Sequence, residues 1–334
     1  MSARPAPSSG DGSGSGSGRQ RALTALGAAF SVACLVALVV WASHERAPTF
    51  PSSPGSIAEL AAAVGFYLAG CAVRAERWYE LLRYNGARAR RTDAYGLLAV
   101  GNFGNNILPA RAGDALRVVL IVPRAQTDAR TVIGTIVAER VLDVVVLVGL
   151  FVVLAYGVLG GVDVPSGGRL VFAALLVGAL LAIGAAAAWV LRRRGHLTRV
   201  VAFLAPMADA TKRLRSNHGL RLLGITFVVW ALEWIAWWLV ARAADLDLAL
   251  LDVGYLMGLA SIFALVPSGP GYVGTFDAAI AFGVRAVGRT GTQALSYLLL
   301  LRFVVTVPIT LIGLVVLLAG YGGVGRVRSL VVRT

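Results

Sequence analysis

Charged side chains stand inside otherwise apolar stretches of this sequence, directly after breaks made by proline and glycine. Arg111, Asp114 and Arg117 follow Pro109 at helical spacing, around Gly113. Arginines placed together can hold a phosphate through paired hydrogen bonds. The alternative is an internal ion pair that staples the segment, and the sequence leaves both interpretations open. Three asparagines precede the same break: Asn102, Asn105 and Asn106. They could bind a headgroup or form hydrogen bonds to the broken backbone, and we expect the backbone role for at least one of them.

A second charged group begins the next apolar stretch. Glu139 and Asp143 are four residues apart and share one helix face, whereas Arg140 points about 100° away from Glu139. Arg140 therefore needs a partner elsewhere, and we expect Asp114 to supply it.

Three further candidate site residues lie in the C-terminal half, namely Glu233, Asp277 and Arg302. Glu233 and Arg302 are expected to neutralise each other or to pair with Asp277. A structural buried pair is favoured here over a contact with substrate. Four tryptophans surround Glu233 and are expected to form an interfacial belt, with a wall of a lipid-contacting cavity as the alternative.

The break in the C-terminal half reads Pro267-Ser-Gly-Pro270-Gly271-Tyr-Val-Gly274 and contains a GxGxxG pattern. A dinucleotide site would need a strand before the pattern and an acidic residue about 20 positions later, and neither is present. The glycines instead predict a chain reversal, followed by a helix near Tyr272 whose N-terminus faces an anion. Ser/His/Asp and metal-ligand patterns are also lacking, so we expect no cofactor, no metal and no enzymatic activity.

The composition places these residues in a membrane protein. Hydrophobic residues make up 57% of the 334 and charged residues 14%, with a mean hydropathy of +0.76. Soluble domains carry about 25% charged residues. The net charge is +14, but the basic residues are dispersed among hydrophobic runs, which argues against nucleic acid as a partner.

The apolar runs predict an all-α polytopic protein with about six transmembrane helices and two re-entrant broken helical hairpins. The predicted spans are 22–42, 57–73, 131–157, 169–191, 222–240 and 291–320, and the hairpins are 94–122 and 252–287. We divide the chain into four parts. They are a disordered tail at 1–20, a first membrane repeat at 21–160, a second membrane repeat at 161–320 that contains a basic segment at 192–221, and a C-terminal tail at 321–334.

The distribution of basic residues orients this layout. Basic loops stay in the cytoplasm. If both hairpins return to the side they enter from, 22 basic residues lie inside, in the segments 1–21, 74–93, 123–130, 192–221 and 322–334. Only five lie outside. Both termini are then cytoplasmic, the two halves have opposite orientation, and their paired breaks point to a binding site near the membrane midplane.

Three stretches together resemble the lysylphosphatidylglycerol synthase transmembrane-region family (UPF0104-type). They are GNFGNNILPARAGDALR at 101–117, ERVLD at 139–143 and VPSGPGYVGTFDAAI at 266–280, the last followed by an LLLLRF run. Asp114 and Asp277 stand where the family usually has glutamate. The resemblance implies a flippase-like domain that moves lipids, found alone or fused to a soluble synthase domain. The chain ends 14 residues after Gly320, so we expect no such domain here.

These observations predict a flippase for an anionic lipid, either a phospholipid or a polyprenyl-phosphate-linked lipid, in a bacterial cytoplasmic membrane. Arg111 and Arg117 would bind the phosphate, and Asp114, Glu139 and Asp277 would gate the cavity or carry protons. Without an ATP-binding motif, transport would be passive or driven by an ion gradient. The alternatives are an enzyme that modifies a lipid carrier and a non-transporting scaffold, with an envelope glycosyltransferase or lipid synthase as partner.

Overall fold

The computed structural model describes residues 36, 39–108, 112–159, 217–263 and 270–322. Within these ranges the chain is all-α, which confirms the predicted fold class. Besides a short helical piece at 39–43, the described residues form eight α-helices: α1 Pro54–Tyr84, α2 Arg91–Ile107, α3 Ala112–Ala125, α4 Ala129–Leu159, α5 Asn217–Ala243, α6 Leu250–Phe263, α7 Thr275–Ala286 and α8 Gly291–Gly320. A short 3-10 turn, Pro270–Tyr272, precedes α7.

Three of the long helices are apolar enough to cross a membrane by length and composition: Pro54–Tyr84, His218–Ala243 and Gly291–Gly320. Their starts are encoded locally. Pro54 begins α1 after Ser53, whose side chain accepts a hydrogen bond from the Ser56 backbone N–H. Thr290 and Gln293 form a reciprocal capping box at the start of α8.

Asp128 marks the start of α4, outside the apolar spans. Its carboxylate accepts hydrogen bonds from the Thr131 backbone N–H at 2.9 Å and from the Thr131 hydroxyl at 2.8 Å. These bonds hold the pKa of Asp128 below its usual value. The ion therefore caps the helix that carries Glu139 and Arg140.

Both predicted breaks separate two short helices that pack against each other, α2 with α3 and α6 with α7. Each pair lies between long helices, in the order α1, hairpin, α4 and then α5, hairpin, α8. The inverted orientation of the two halves and the number of crossings stay predictions. Pro109, Arg111 and Pro267 lie outside the described residues, as do the tail 1–20, the predicted span 169–191 and almost all of the segments 22–42, 192–221 and 321–334.

The predicted end of the second span is wrong. Helix α1 runs without interruption through Gly65 and Gly70 and continues past Val73 to Tyr84. The hydrophobic run ends at Val73, but the buried stripe continues along the same helix face through Ala75, Arg77 and Trp78. Two arginines assigned to a cytoplasmic segment therefore lie inside the helix bundle.

The helix after the second break also begins later than predicted, at Thr275 rather than near Tyr272. Gly271 has φ 61° and Gly274 has φ 94°, so both occupy the left-handed region that glycine tolerates best. Asp277 accepts a hydrogen bond from the Gly274 backbone N–H at 2.9 Å. The α7 N-terminus is thus capped by its own aspartate, where the sequence predicted an opening toward an anion.

Glycines allow the two arms of the first hairpin to approach closely. A Cβ atom on Gly104 would lie 2.6 Å from the Gly113 Cα atom, and one on Gly101 would lie 2.6 Å from the Arg117 Cδ atom. Small residues of this kind let membrane helices pack backbone to backbone. The halves also interlock, because α8 packs against α2 and α1 packs along α5.

We expect Gly104→Ala to lower the free energy of unfolding by about 1–3 kcal/mol, since the added methyl group meets backbone that cannot move aside. Gly224→Ala is the matched control, because a Cβ atom there meets nothing within 4 Å. That change should leave stability equal or slightly higher. Thermal unfolding of both variants in detergent measures the difference, and equal transitions would contradict the close packing of the hairpin.

Candidate functional site

A polar cavity of about 340 Å³ lies where both hairpins meet the four long helices. Its charged lining comes from five helices that are distant in sequence. These residues are Arg74, Arg77, Asp114, Arg117, Glu139, Arg140, Asp143, Glu233 and Arg302. Those on long helices lie at least seven residues from the nearest helix end, which corresponds to about 10 Å. The charged lining therefore lies along the middle of these helices, away from their ends.

The structure brings together nearly all of the predicted site residues that it describes. Nine line the cavity: Asn102, Asn106, Asp114, Arg117, Glu139, Arg140, Asp143, Glu233 and Arg302. Asp277 stands behind the wall and contacts Arg302. Among the predicted break residues, Gly271 lines the cavity, Gly113 packs inside the first hairpin, and Pro270 and Gly274 flank the turn before α7.

Six of the charged residues form a continuous chain of alternating ion pairs. Arg140 Nη2 lies 3.3 Å from Asp114, and Asp114 lies 3.6 Å from Arg117 Nη1. Arg117 Nη2 is 2.8 Å from Glu139, which stands 3.8 Å from Arg77. Arg77 Nη1 completes the chain at 2.7 Å from Asp143. The expected pair between Arg140 and Asp114 is thus present.

The Arg77 end of the chain is buried, and both terminal nitrogens of Arg77 are paired. The Arg77 side chain is 1% exposed and donates to both carboxylate oxygens of Asp143 and to the Thr226 hydroxyl. These contacts join α1 to α4 and α5. Burying a charge is tolerated only with such pairing, so this end of the chain has a structural role.

The Arg140 end of the chain is open. The Arg140 side chain is 46% exposed, compared with 5% for Arg117. Within the described residues, its contact of hydrogen-bonding length is the one to Asp114. Arg117 instead stacks on the Trp78 ring, 3.9 Å from its centroid, and is held by Glu139. Arg140 is therefore the better placed of the two to meet a ligand.

Two separate ion pairs complete the site. Arg302 Nε lies 2.5 Å from Asp277, as expected, and its two terminal nitrogens donate to the Gly271 and Tyr272 carbonyl oxygens. Glu233 does not meet Arg302 or Asp277, and pairs instead with Arg74 at 2.7 Å. Arg302 is already bonded to residues of the second hairpin. Glu233 therefore pairs with a cation of α1, Arg74.

The described site is electrically balanced, with five guanidinium groups against five carboxylates. The cations are Arg74, Arg77, Arg117, Arg140 and Arg302. The anions are Asp114, Glu139, Asp143, Glu233 and Asp277. An anionic ligand can therefore bind a cation here only in competition with a carboxylate of the protein.

Neutral polar and aromatic side chains fill the rest of the wall. Asn102 donates to the Leu98 carbonyl oxygen of its own helix, which is the backbone role expected for one asparagine. Asn106 donates to the Thr310 hydroxyl and so ties α2 to α8. Trp230 and Trp237 are buried and line the cavity, so for these two the expected interfacial belt is wrong. The indole N–H of Trp230 donates to the Asp143 carboxylate at 3.3 Å, which ties that ring to the charged residues of the cavity.

Sequence reasoning missed Arg74 and Arg77 as site residues. It grouped them with the basic loop that follows, because the hydrophobic run ends just before them. A signal was nevertheless present. Tyr67, Cys71, Arg74 and Trp78 recur at intervals of three and four residues, which places both the apolar side chains and an arginine on one helix face.

Comparison with known protein families assigns nearly the whole chain to one family. Residues 24–313 match the model of the lysylphosphatidylglycerol synthase TM region. The chain belongs to this family. Its members are membrane proteins, and in this member both hairpin breaks that carry the family resemblance border the polar cavity.

Two relatives are similar to this chain at low identity or over part of their length. Glycosyltransferase AglD of Haloferax volcanii is 32% identical over 106 residues, which is 31% of this chain but 17% of that protein. A UPF0104 membrane protein of Methanothermobacter thermautotrophicus is 22% identical over 230 residues, or 60% of this chain and 67% of that protein. The chain thus spans less than a fifth of the first relative. No solved structure matches it.

We expect Arg77→Met to lower the free energy of unfolding by about 3–5 kcal/mol, because it leaves Asp143 buried without its cation. Arg140→Gln removes a half-exposed arginine and should cost less than about 1 kcal/mol. Thermal unfolding in detergent compares the two variants. Similar losses of stability would contradict the division of the ion-pair chain into a structural end and an open end.

Proposed function

We propose that this protein moves an anionic lipid across the membrane, with the phosphate of the headgroup passing through the central cavity. The observation that carries the proposal is the half-exposed Arg140 in a polar cavity lined by long helices and by both hairpins. Ionisable residues inside a membrane bundle commonly mark the pathway of a substrate or ion.

The size of the cavity favours a headgroup as its occupant. Pockets for small molecules span about 300–1,000 Å³, and this cavity of about 340 Å³ lies at the lower end. Its volume suits a phosphate with a small attached group, while the acyl chains stay in the surrounding lipid. The polar lining replaces the water that the headgroup loses on leaving the membrane surface.

The charge and the hairpins support binding followed by transport. A guanidinium group can hold a phosphate through two parallel hydrogen bonds. Broken helices that meet at a binding site are typical of transporters in which the protein moves around a fixed site. Here Asn105 of the first hairpin and Gly271 of the second face the same cavity, so a movement of either hairpin would change access to it.

The test is lipid translocation in proteoliposomes, with fluorescent phosphatidylglycerol and a fluorescent polyprenyl-phosphate analogue as separate probes. Arg140→Gln removes donors to the phosphate. A hydrogen bond to a charged group contributes about 1.5–3 kcal/mol, so transport at limiting lipid should fall about 10- to 100-fold.

Arg242→Gln is the matched control for this experiment. Arg242 is 52% exposed, pairs with Glu59 at 2.7 Å and is not part of the cavity lining. Its loss should leave the rate unchanged. Equal rates for the two variants, or no protein-dependent movement of either lipid by folded protein, would contradict the proposal. A lipid product of changed mass would favour the enzyme alternative.

A further inference from the structure

We infer that Asp114 is a displaceable counter-ion, which occupies the position of the lipid phosphate at Arg140 and leaves it when the headgroup binds. The inference rests on the proposed function, and it assigns to Asp114 the role of competing with the lipid phosphate for Arg140. In this arrangement Asp114 keeps the empty cavity neutral. It also drives release, because its return to Arg140 displaces the bound phosphate.

The contact distances single out Asp114 among the five carboxylates. Its contacts within the described residues are all long, at 3.3 Å to Arg140, 3.4 Å to the Asn105 amide nitrogen and 3.6 Å to Arg117. Each of the other four has a cationic partner at 2.8 Å or less: Asp143, Glu139, Glu233 and Asp277. A charge-assisted hydrogen bond is normally about 2.7–2.9 Å long, so Asp114 is the carboxylate held most loosely.

Comparison of the two hairpins supports the same conclusion. Asp114 and Asp277 each lie in the first turn of the helix that follows a break, α3 and α7 respectively. Asp277 caps the Gly274 backbone N–H and lies 2.5 Å from Arg302, with its side chain 6% exposed. The Asp114 side chain is 20% exposed and faces the cavity. The two aspartates in corresponding positions thus differ, because Asp277 is held by short contacts whereas Asp114 is held loosely.

The donors around Asp114 suit a tetrahedral anion. Arg140, Arg117 and the Asn105 amide surround its carboxylate, and a phosphate at that position could accept from all three. The buried Arg117 Nε has no hydrogen-bond partner within the described chain, so Arg117 carries one further unpaired N–H donor. Asp114 and a phosphate could not both remain at Arg140, because two anions sharing one cation repel each other.

The experiment measures binding of dioctanoyl phosphatidylglycerol to purified full-length protein in detergent by calorimetry, and translocation in proteoliposomes. In Asp114→Asn the phosphate no longer competes with a carboxylate. Because a partly exposed ion pair contributes up to about 1 kcal/mol, which is about fivefold in affinity, we expect binding about two- to fivefold tighter. Translocation at saturating lipid should be slower, since no anion returns to expel the phosphate.

Two further variants make the result specific. Glu59→Gln removes a carboxylate that pairs with Arg242 outside the cavity lining, and it should leave affinity unchanged. In the double variant Asp114→Asn with Arg140→Gln, the gain in affinity should disappear, because Asp114 weakens binding by competing for Arg140. A gain in the Glu59 variant, or a gain that survives loss of Arg140, would overturn the inference.

The remaining outcomes are equally decisive. Unchanged or weaker binding by Asp114→Asn overturns the inference, and so does failure of this variant to fold, because a loosely held carboxylate should be dispensable for the fold. If the wild type binds and moves the lipid in these cases, the proposed function stands. If the wild type neither binds nor moves it, the proposed function and the inference fail together.

Discussion

An unpaired charge buried inside a membrane bundle costs several kcal/mol, and the arrangement of this protein follows from the need to avoid that cost. Arg77 is nearly inaccessible, and its partners Asp143 and Thr226 lie on two other helices. The helices that supply these partners cannot separate without exposing a charge to lipid. The electrostatic requirement therefore holds α1, α4 and α5 in one relative position.

The same requirement shapes the cavity. The five described guanidinium groups meet five carboxylates, so the polar interior is neutral when empty and compatible with its surroundings. The ion pairs that balance these charges differ in strength. Short contacts at Arg77, Arg74 and Arg302 hold helices together, whereas the contacts at Arg140 are long and partly exposed. Among the described cations of the cavity, Arg140 is therefore the one that the protein's own groups hold least tightly.

The hairpins complete this design by bringing polar side chains to the centre without a continuous polar helix. Gly104 and Gly113 let α2 and α3 approach closely, and the hairpin then places Asn105 and Asp114 side by side. At the second break, Arg302 donates to the carbonyl oxygens of Gly271 and Tyr272 in the 3-10 turn. Irregular backbone at this depth is stable because protein groups satisfy it.

The sequence by itself determined the class of protein, the two breaks and most of the charged residues that line the cavity. Hydrophobic runs of membrane length, and charges interrupting them, are local properties. The pair between Arg140 and Asp114 could also be anticipated, since Arg140 points away from its acidic neighbours. Only the tertiary structure decided that Arg74 and Arg77 face the interior, that Glu233 pairs with α1, and that Asp277 caps its own helix. The physical reason is that burial of a charge depends on which partner a distant helix presents. Hydropathy along one segment carries no information about that partner.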